Sequence, residues 1–436
     1  MLASPASPER DWKSNRLAMS IMQTNWAGNY RYSSSERIES RSIEEIQDLI
    51  RRNKKLKALG SRHSFNGAAD TSGPQISLPA LNAIEVNPAS ATVTVGPAVR
   101  YGDLAPVLAR SGFALHNLAS LPHISVVGAV ATGTHGSGTL NGNLATAVAA
   151  MEFVGGTGEI VRLSRRDNPG LFEGAVVHLG ALGVVTSVTL DLEPAYDLAQ
   201  HVYFDLPFDQ LEKNLEDIFS AGYSVSLFTE WQNSRATQVW IKRRLDRTYA
   251  PLPQGAFFGA EPATVPVHPL RFHPVEACTE QGGKPGAWFE RLPHFRMEFT
   301  PSSGEELQSE YFVPLHLGYE AIRAVERLRD QITPHLFVTE LRTIEADDLW
   351  MSMAHERRSL AIHFTWKPEW PAVRSLLPQI ESILQPFTPR PHWGKLFTTA
   401  PEHLHAAYPR LREFRALMKQ YDPESKFKND FLEQYL

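Results

Sequence analysis

The chain has 436 residues, 42% hydrophobic and 21% charged, so it can bury a large core, and two domains are expected. A formal net charge of -5 without a dense Lys/Arg block excludes a nucleic-acid-binding surface. The single cysteine, Cys278, excludes an intrachain disulfide framework and a thiolate metal cluster. Because no secretory signal and no long apolar run is found, we expect a cytoplasmic monomer without membrane contact, preceded by a flexible tail at residues 1–19.

The first half of the chain alternates short helical and strand-like patterns. Ser42 and Glu45 form a capping box, which predicts a helix from residue 43 to 50. A second helix is predicted over 102–110, and the segment 155–158 predicts a hairpin turn. The predicted strands of this half are 55–59, 76–78, 92–95, 151–154, 160–163 and 184–190.

The texture changes after Glu193-Pro194, where we place a domain boundary, and a long irregular loop is predicted over 251–286. Two later strands carry polar residues at alternate positions. Over 336–342 this spacing puts Glu340 and Arg342 on one face, and over 359–366 it does the same for His363 and Thr365. Adjacent in one sheet, the two strands would present four polar side chains to one cavity. A helix over 402–420 and a segment 426–436 close the chain.

A Gly-led turn, residues 60–65, follows the strand at 55–59 and contains His63. Glycine permits the left-handed backbone that close approach to a ligand needs, and a neutral imidazole can bond covalently to an activated flavin methyl group. The alternative is a loop histidine held by hydrogen bonds.

A second element, residues 125–138, is rich in Gly, Thr and Ser. Such a loop can turn several backbone N–H groups toward one anion, as pyrophosphate binding requires, although most clusters of this kind are plain turns. No strand is followed by Gly-x-Gly-x-x-Gly and a helix, so a nicotinamide-binding Rossmann unit is not indicated.

Together, the two elements resemble the FAD-binding domain of the vanillyl-alcohol-oxidase flavoprotein family, and within it the alditol (xylitol) oxidases. The resemblance implies an α+β fold of two domains: an FAD-binding domain at 20–196, completed by 396–436, and a substrate (cap) domain at 197–395 with an antiparallel sheet. The stretches that carry it are 25–29, 58–65, 121–125, 131–138, 180–186, 339–342, 362–366 and 391–395.

The resemblance also implies the site residues. His63 would attach FAD covalently, and Arg342, Lys395 and His363 would be catalytic. Further FAD-binding residues would be Ala58, Leu59, Gly60, Ser61, Arg62, Ser64, Ser125, Gly128, Thr132, Gly133, Thr134, His135, Gly136, Gly183, Val185 and His392. The residues that would bind substrate are Ser125, Glu340, Arg342, Thr365 and Lys395.

Alcohol oxidation removes a hydride from carbon and a proton from oxygen, so it needs an electron sink, a proton acceptor and positive charge near the developing alkoxide. Arg342 and Lys395 can supply the charge, His363 or Lys395 can take the proton, and Glu340 and Thr365 can hold substrate hydroxyl groups. Each residue type also has a structural explanation. Glu340 and Arg342 could form only an ion pair on one strand face. His363 could be a core histidine and Lys395 a loop lysine, and His392 could be part of an aromatic corner.

Together with these residues, the resemblance implies an oxidase that converts the primary alcohol of an alditol such as xylitol or sorbitol into the aldose and reduces O2 to H2O2. One alternative is a sugar-lactone oxidase or dehydrogenase of the same superfamily. Another is a catalytically silent flavoprotein used for binding. No metal site is predicted, because the pair His403 and His405 lacks a third ligand.

Overall fold

A computed structural model describes residues 24–300, 302–303 and 305–436. The predicted tail at 1–19 lies outside these residues. None of the helices in the described part of the chain is long and apolar enough to cross a membrane.

Two sheets organise the first half of the chain. A parallel sheet has the strand order Arg37–Glu39, Gln75–Ser77, Lys57–Ala58. An antiparallel sheet has the order Ile84–Asn87, Thr92–Val95, Val184–Asp191, Val148–Val154, Ile160–Ser164. The predicted hairpin is confirmed, because Met151 pairs with Leu163 across the last two of these strands. A short antiparallel pair joins Phe113–Ala114 to Glu193–Pro194.

The first helix, Ile43–Arg52, begins as its sequence predicts. The Ser42 side chain accepts a hydrogen bond from the backbone N–H of Glu45. The returning carboxylate of Glu45 binds the N–H of Arg41 rather than that of Ser42. The helix buries Ile46 and Ile50 in a small core that also contains Phe427, so the C-terminal segment packs against the start of the chain.

Within the described residues, the largest sheet has nine antiparallel strands. Its path runs Glu261–Pro262, Asp197–Pro207, Arg235–Arg244, Ser224–Thr229, Leu336–Ile344, Ser359–Trp366, Leu307–Pro314, Arg390–Pro391, and Gly286–Ala287 pairs at the side with the second of these. The predicted neighbours are confirmed, because Glu340 pairs with His363 across adjacent strands.

The remaining α-helices are Tyr101–Arg110, Val126–Ala131, Phe172–Val176, Gln210–Ser220, Gly318–Glu326, Arg329–Ile332, Trp370–Leu384, Pro401–Ala407, Leu411–Tyr421 and Asp430–Tyr435. Short 3₁₀ turns lie at Gly67–Ala69, Leu144–Ala147, Val275–Ala277, Trp288–Glu290, Leu315–Leu317, Thr333–His335 and Gln385–Phe387.

The single helix predicted over 402–420 is wrong, because Pro409 divides it. A proline disfavours helical backbone at the residue before it, and Tyr408 has φ -112° and ψ 95°. The predicted irregular loop at 251–286 contains only two-residue strands and one 3₁₀ turn. Helices and sheets are both abundant, so the α+β class is confirmed; the exact domain bounds stay a prediction.

Candidate active site

A cavity of about 460 Å³ lies between two walls of different construction. We call residues 58–64 and 125–135 the loop wall. We call the polar side chains of the large sheet and of the segment after its last strand the sheet wall; these are Gln308, Glu340, Arg342, His363, Thr365 and Lys395. The structure therefore brings the two predicted motifs and the two predicted strands to one place.

Most of the predicted site residues line this cavity. They are Ala58, Leu59, Gly60, Ser61, Arg62, His63, Ser64, Ser125, Gly128, Thr132, Thr134, His135, Gly183, Val185, Glu340, Arg342, His363, Thr365, His392 and Lys395. Gly133 and Gly136 do not line it. A Cβ on Gly136 would lie 2.4 Å from the carbonyl oxygen of Leu118, so close packing explains that glycine.

The turn that contains His63 differs in one respect from the prediction. Its left-handed residue is Arg62, with φ 64°, and not Gly60. Gly60 is needed for space instead, because a Cβ there would lie 2.9 Å from Ser125 Oγ. The backbone N–H groups of Gly60, Ser61, His63 and Ser64 donate to no described residue, which leaves them available to an anion in the cavity.

The imidazole of His63 is partly buried and stacks on Trp26, with ring centroids 5.2 Å apart. Among the described residues neither ring nitrogen has a partner at hydrogen-bond geometry. Burial lowers the pKa of His63 to about 4, with His123 adding to the decrease and the backbone of Ser61 opposing it. The ring is therefore neutral at pH 7 and keeps a free lone pair.

The second Gly-rich element is not the open anion-binding loop that its composition indicates. Val126–Ala131 is a helix, and Gly128 lies inside it. The N–H groups of Thr132, Gly133 and Thr134 donate to carbonyls of the same helix. These three groups are therefore occupied. At the start of the helix, however, the N–H groups of Val127 and Gly128 donate to no described residue, so the loop wall has free backbone donors in both of its segments.

Three neighbouring strands place charged residues in one row on the sheet. His363 pairs with Glu310 on one side and with Glu340 on the other. Arg342 follows two residues after Glu340 and so points to the same face. All four side chains are buried.

Glu310 is the common partner of the cations. Its carboxylate accepts a hydrogen bond from Lys395 Nζ at 2.6 Å and from Arg342 Nη2 at 2.7 Å. Burial alone would raise the pKa of Glu310, but Lys395, His135 and Arg342 hold it well below its usual value. The pKa of Arg342 is raised, because Glu340 and Glu310 outweigh the effect of its burial.

Lys395 also fixes the protonation of His363. Its Nζ lies 2.6 Å from Nδ1 of His363, while Nε2 of that ring lies 3.1 Å from Thr365 Oγ1. A charged lysine only donates, so Nδ1 accepts and the proton of the ring sits on Nε2, facing the threonine oxygen. The hydroxyl hydrogen of Thr365 is then free to point toward a ligand.

The carboxylate of Glu340 is held from behind. His294 Nε2 lies 2.7 Å from Glu340 Oε1, and His294 Nδ1 lies 3.1 Å from Nζ of the buried Lys242. Burial would raise the pKa of Glu340, but Arg342 and His294 lower it far below its usual value. Glu340 is thus an ionised acceptor.

Two histidines and a carboxylate, His135, Glu310 and His392, have possible ligand atoms within 4.8 Å of one another. The donor chemistry does not fit a cation. Glu310 is already bound to Lys395 and Arg342, and Nδ1 of His392 accepts the N–H of Gly394, so the other nitrogen of that ring carries its proton. We assign no metal to the cluster.

Comparison with known proteins identifies the family. Residues 37–164 match the family model described as FAD binding domain, and residues 303–435 match that of D-arabinono-1,4-lactone oxidase. The chain is 48% identical to an alditol oxidase of Streptomyces sp. (strain IKD472), over 96% of this chain and 100% of that protein. The chain belongs to the alditol oxidase family of FAD-dependent oxidoreductases.

More distant relatives of this alditol oxidase family member have names that describe a lactone as the substrate. The L-gulono-1,4-lactone dehydrogenase of Mycobacterium tuberculosis is 28% identical over 96% of this chain and 100% of that protein. The crystal structure of cholesterol oxidase from B. sterolicum has a TM-score of 0.76 at 14% identity and covers 95% of this chain and 96% of that chain. This last likeness shows the fold: an FAD-binding domain and a cap domain with an antiparallel sheet.

The loop wall fits FAD, the cofactor of the family. The free N–H groups of the first turn suit a diphosphate, and Gly60 leaves the space beside Ser125 that a side chain would fill. The unpartnered lone pair of His63 lies in the same cavity. In this chain, the groups that fit the cofactor lie on one wall, and Glu340, Arg342 and Lys395 lie on the other.

Sequence reasoning missed Glu310, Gln308, His294 and Lys242. The strand Leu307–Pro314 carries Gln308 and Glu310 at alternate positions, the same signal that identified Glu340 and Arg342, and it could have been found in the same way. His294 lies in irregular chain without periodicity, so no local pattern marks it.

Proposed function

We propose that this protein oxidises the primary alcohol of an alditol to the aldose and passes the electrons to O2, forming H2O2. The observation that carries this proposal is the sheet wall. There, Glu340 and Thr365 can bind hydroxyl groups, and the cations Arg342 and Lys395 line the same cavity. The 48% identity to a protein named alditol oxidase supports the same substrate class.

When bound, FAD supplies the hydride acceptor and passes two electrons on to oxygen. The residues of the chain orient and charge the substrate. Glu340 accepts hydrogen bonds from substrate hydroxyl groups, and Thr365 donates to a substrate oxygen. Arg342, whose pKa is raised, keeps its charge and stabilises the alkoxide that develops as the hydroxyl proton leaves.

We assign the proton acceptor to Lys395, which takes the substrate proton from its neutral form and is a cation otherwise. The neutral amine still donates an N–H to Nδ1 of His363, so the tautomer of that ring is the same in both forms. Burial lowers the pKa of Lys395, Glu310 opposes that decrease, and Arg342 adds to it. His363 is a weaker candidate, because its Nδ1 is occupied by Lys395 and its Nε2 carries the proton. In Lys395→Met, we expect the ionisation of the base to vanish from the pH profile of kcat.

We further propose that FAD is attached covalently through His63. Support comes from the neutral, unpartnered imidazole at the cavity. In His63→Ala, we expect precipitation with trichloroacetic acid to release all of the yellow pigment, whereas the wild-type pellet stays yellow. A variant pellet that retains flavin would disprove this attachment.

The substrate is tested with xylitol, sorbitol and gulonolactone. We expect the two alditols to bleach the flavin under anaerobic conditions, air to restore its absorbance, and peroxide to form in proportion to the alditol oxidised. The match of residues 303–435 to the lactone oxidase model favours a lactone as the second candidate. Bleaching by gulonolactone alone would establish that candidate, and bleaching by none of the three would refute both.

A further inference from the structure

A row of buried, hydrogen-bonded side chains links the strand Arg235–Arg244 to the sheet wall. It runs from Lys242 through His294 to Glu340, with distances of 3.1 Å and 2.7 Å between the bonded atoms. All three side chains are nearly inaccessible to solvent, at 1%, 5% and 5% exposure. The hydrogen-bond partners within the row, and not solvent, therefore determine which atoms carry the protons.

The tautomer of His294 follows from its neighbours. Burial lowers the pKa of Lys242 to about 7, with Glu340 opposing the decrease, so Lys242 is an ammonium below that pH. An ammonium is a donor without an acceptor, so Nδ1 of His294 accepts and the ring proton lies on Nε2. That N–H points at Glu340 Oε1. With the other tautomer, the lone pair of Nε2 would face the carboxylate, and Glu340 would have to bind a proton to form the contact.

We propose that Lys242 and His294 are positioning residues that act through Glu340: the lysine fixes the tautomer of the histidine, whose Nε2–H keeps the carboxylate an acceptor for substrate hydroxyl groups. This inference rests on the proposed function, which gives Glu340 its hydroxyl groups to bind. It adds two residues, one of them outside the cavity lining, to those that determine polyol binding.

Other charged groups also face this row. Arg342 lies on the strand of Glu340, His363 on the neighbouring strand and Lys395 on the segment beyond it. Cys278 lies near Lys242. Because Arg342 also favours the ionised carboxylate, loss of His294 alone should weaken the ionisation of Glu340 without abolishing it.

Lys242 also has a purely structural contact, since its Nζ donates to the carbonyl oxygens of Leu292 and Pro293. A test must therefore separate positioning from folding. His294→Gln keeps a side-chain N–H for Glu340 and an acceptor for Lys242, whereas His294→Leu removes both. Lys242→Arg keeps a donor-only cation, whereas Lys242→Met does not.

The experiment uses flavin-loaded enzyme and xylitol. In His294→Leu we expect KM to rise about tenfold or more, because a hydrogen bond to a charged group is lost, while kcat changes little. The acidic limb of kcat/KM, which is the loss that accompanies protonation of Glu340 at a pH below the ionisation assigned to Lys395, should move up by about one pH unit, since Glu340 becomes easier to protonate. His294→Gln should stay close to wild type in both quantities.

Infrared difference spectra recorded while the pH is lowered from neutral follow the protonation of Glu340 without turnover. We expect the carboxylic-acid C=O band of Glu340 to appear about one pH unit higher in His294→Leu than in wild type, and to be absent in Glu340→Gln/His294→Leu. If the band moves in this way but no polyol is oxidised, the row is right and the proposed function is wrong.

His268→Leu is the matched control, because His268 is also buried, lies in the preceding irregular segment, and bonds to the backbone of Leu270. It should leave KM and the acidic limb unchanged. If His294→Leu folds poorly, the pair Lys242→Met and Lys242→Arg gives the same contrast. Equal behaviour of His294→Gln and His294→Leu, or an acidic limb that does not move in either pair, would overturn the proposal.

Discussion

The two walls of the cavity solve different physical problems. The loop wall offers backbone N–H groups, glycines and one neutral imidazole, and its geometry depends on close backbone packing around Ser125. The sheet wall offers ionised side chains at fixed positions on regular strands. Behind that wall Glu310 is completely buried and bound to two of its cations.

This difference predicts which kind of substitution should damage each wall. A buried ion cluster is sensitive to loss of one charge, because the remaining charges stay buried without compensation. A backbone wall is sensitive to added volume, because there is no side chain to move aside. Substitutions can therefore be chosen that damage one wall and leave the other intact.

The largest effect is expected for Glu310→Gln, directly behind the sheet wall. The change leaves Lys395 and Arg342 buried without their shared anion, which should cost about 3–5 kcal/mol in the free energy of unfolding. We also expect kcat/KM for xylitol to fall by at least about 100-fold, because both cations lose their position. Urea unfolding and steady-state kinetics measure the two effects.

Glu381→Gln is the control for this prediction. Glu381 is a buried carboxylate too, but its partners are the neutral groups Tyr311 and Thr398, and burial raises its pKa. It should lose less stability and keep kcat/KM within about threefold of wild type. Similar losses in the two variants would mean that burial, and not the pairing of charges, determines the importance of Glu310.

A somewhat smaller effect is expected for Arg342→Met. Removing one preorganised group that stabilises the developing charge should lower kcat about 100- to 1000-fold. Arg342→Lys should recover part of the loss, since it keeps the charge but not the bonded geometry with Glu310. A variant in which only KM rises would show that Arg342 binds substrate without stabilising the transition state.

Two alanine substitutions test the backbone packing of the loop wall and of Gly136 directly after it. In Gly136→Ala, the new Cβ meets a backbone carbonyl 2.4 Å away, so we expect a loss of about 1–3 kcal/mol in stability. In Gly128→Ala, the Cβ meets the rotatable Oγ of Ser125 at 2.6 Å, and alanine favours the helix. Stability should then change by less than about 1 kcal/mol, while flavin content or KM changes because the hydroxyl moves. The reverse ranking by urea unfolding would contradict this view of the wall.

The same contrast explains what could be predicted from the sequence. Period-2 spacing put Glu340 with Arg342 on one face and His363 with Thr365 on another, because a strand converts spacing directly into a common face. The structure shows that the two strands are neighbours. The Gly-rich motifs placed the loop wall but not its backbone, since composition does not tell whether Arg62 or Gly60 takes the left-handed conformation.

The missing part of the site depends on tertiary contacts. The pair Lys242 and His294 is separated by 52 positions in sequence. Only the packed sheet brings that pair to Glu340. The proline itself marks the helix break before Pro409 in the sequence, whereas the pair Lys242 and His294 has no sequence signature.

The buried histidines and the buried carboxylates should affect the free energy of unfolding in different pH ranges. Burial lowers the pKa of His178 on the loop side, and of His294 and His363 on the sheet side, to about 4. These rings are neutral when folded and become charged when unfolded below about pH 6.5, so unfolding takes up protons. Stability is therefore complete above about pH 6.5 and falls toward pH 4, by up to about 1.4 kcal/mol per pH unit for each ring.

The carboxylates of Glu310 and Glu340 act in a lower range. Their pKa values are depressed in the folded protein, so their contribution is present above about pH 4.3 and is lost only as the pH falls further. Urea unfolding midpoints across this range should then show a shallower slope between about pH 6.5 and 4 for His294→Gln. In Glu310→Gln the slope of stability between about pH 6.5 and 4 should stay, because the histidines are unchanged. The slope below about pH 4.3 should become shallower, because a carboxylate with a depressed pKa has been removed.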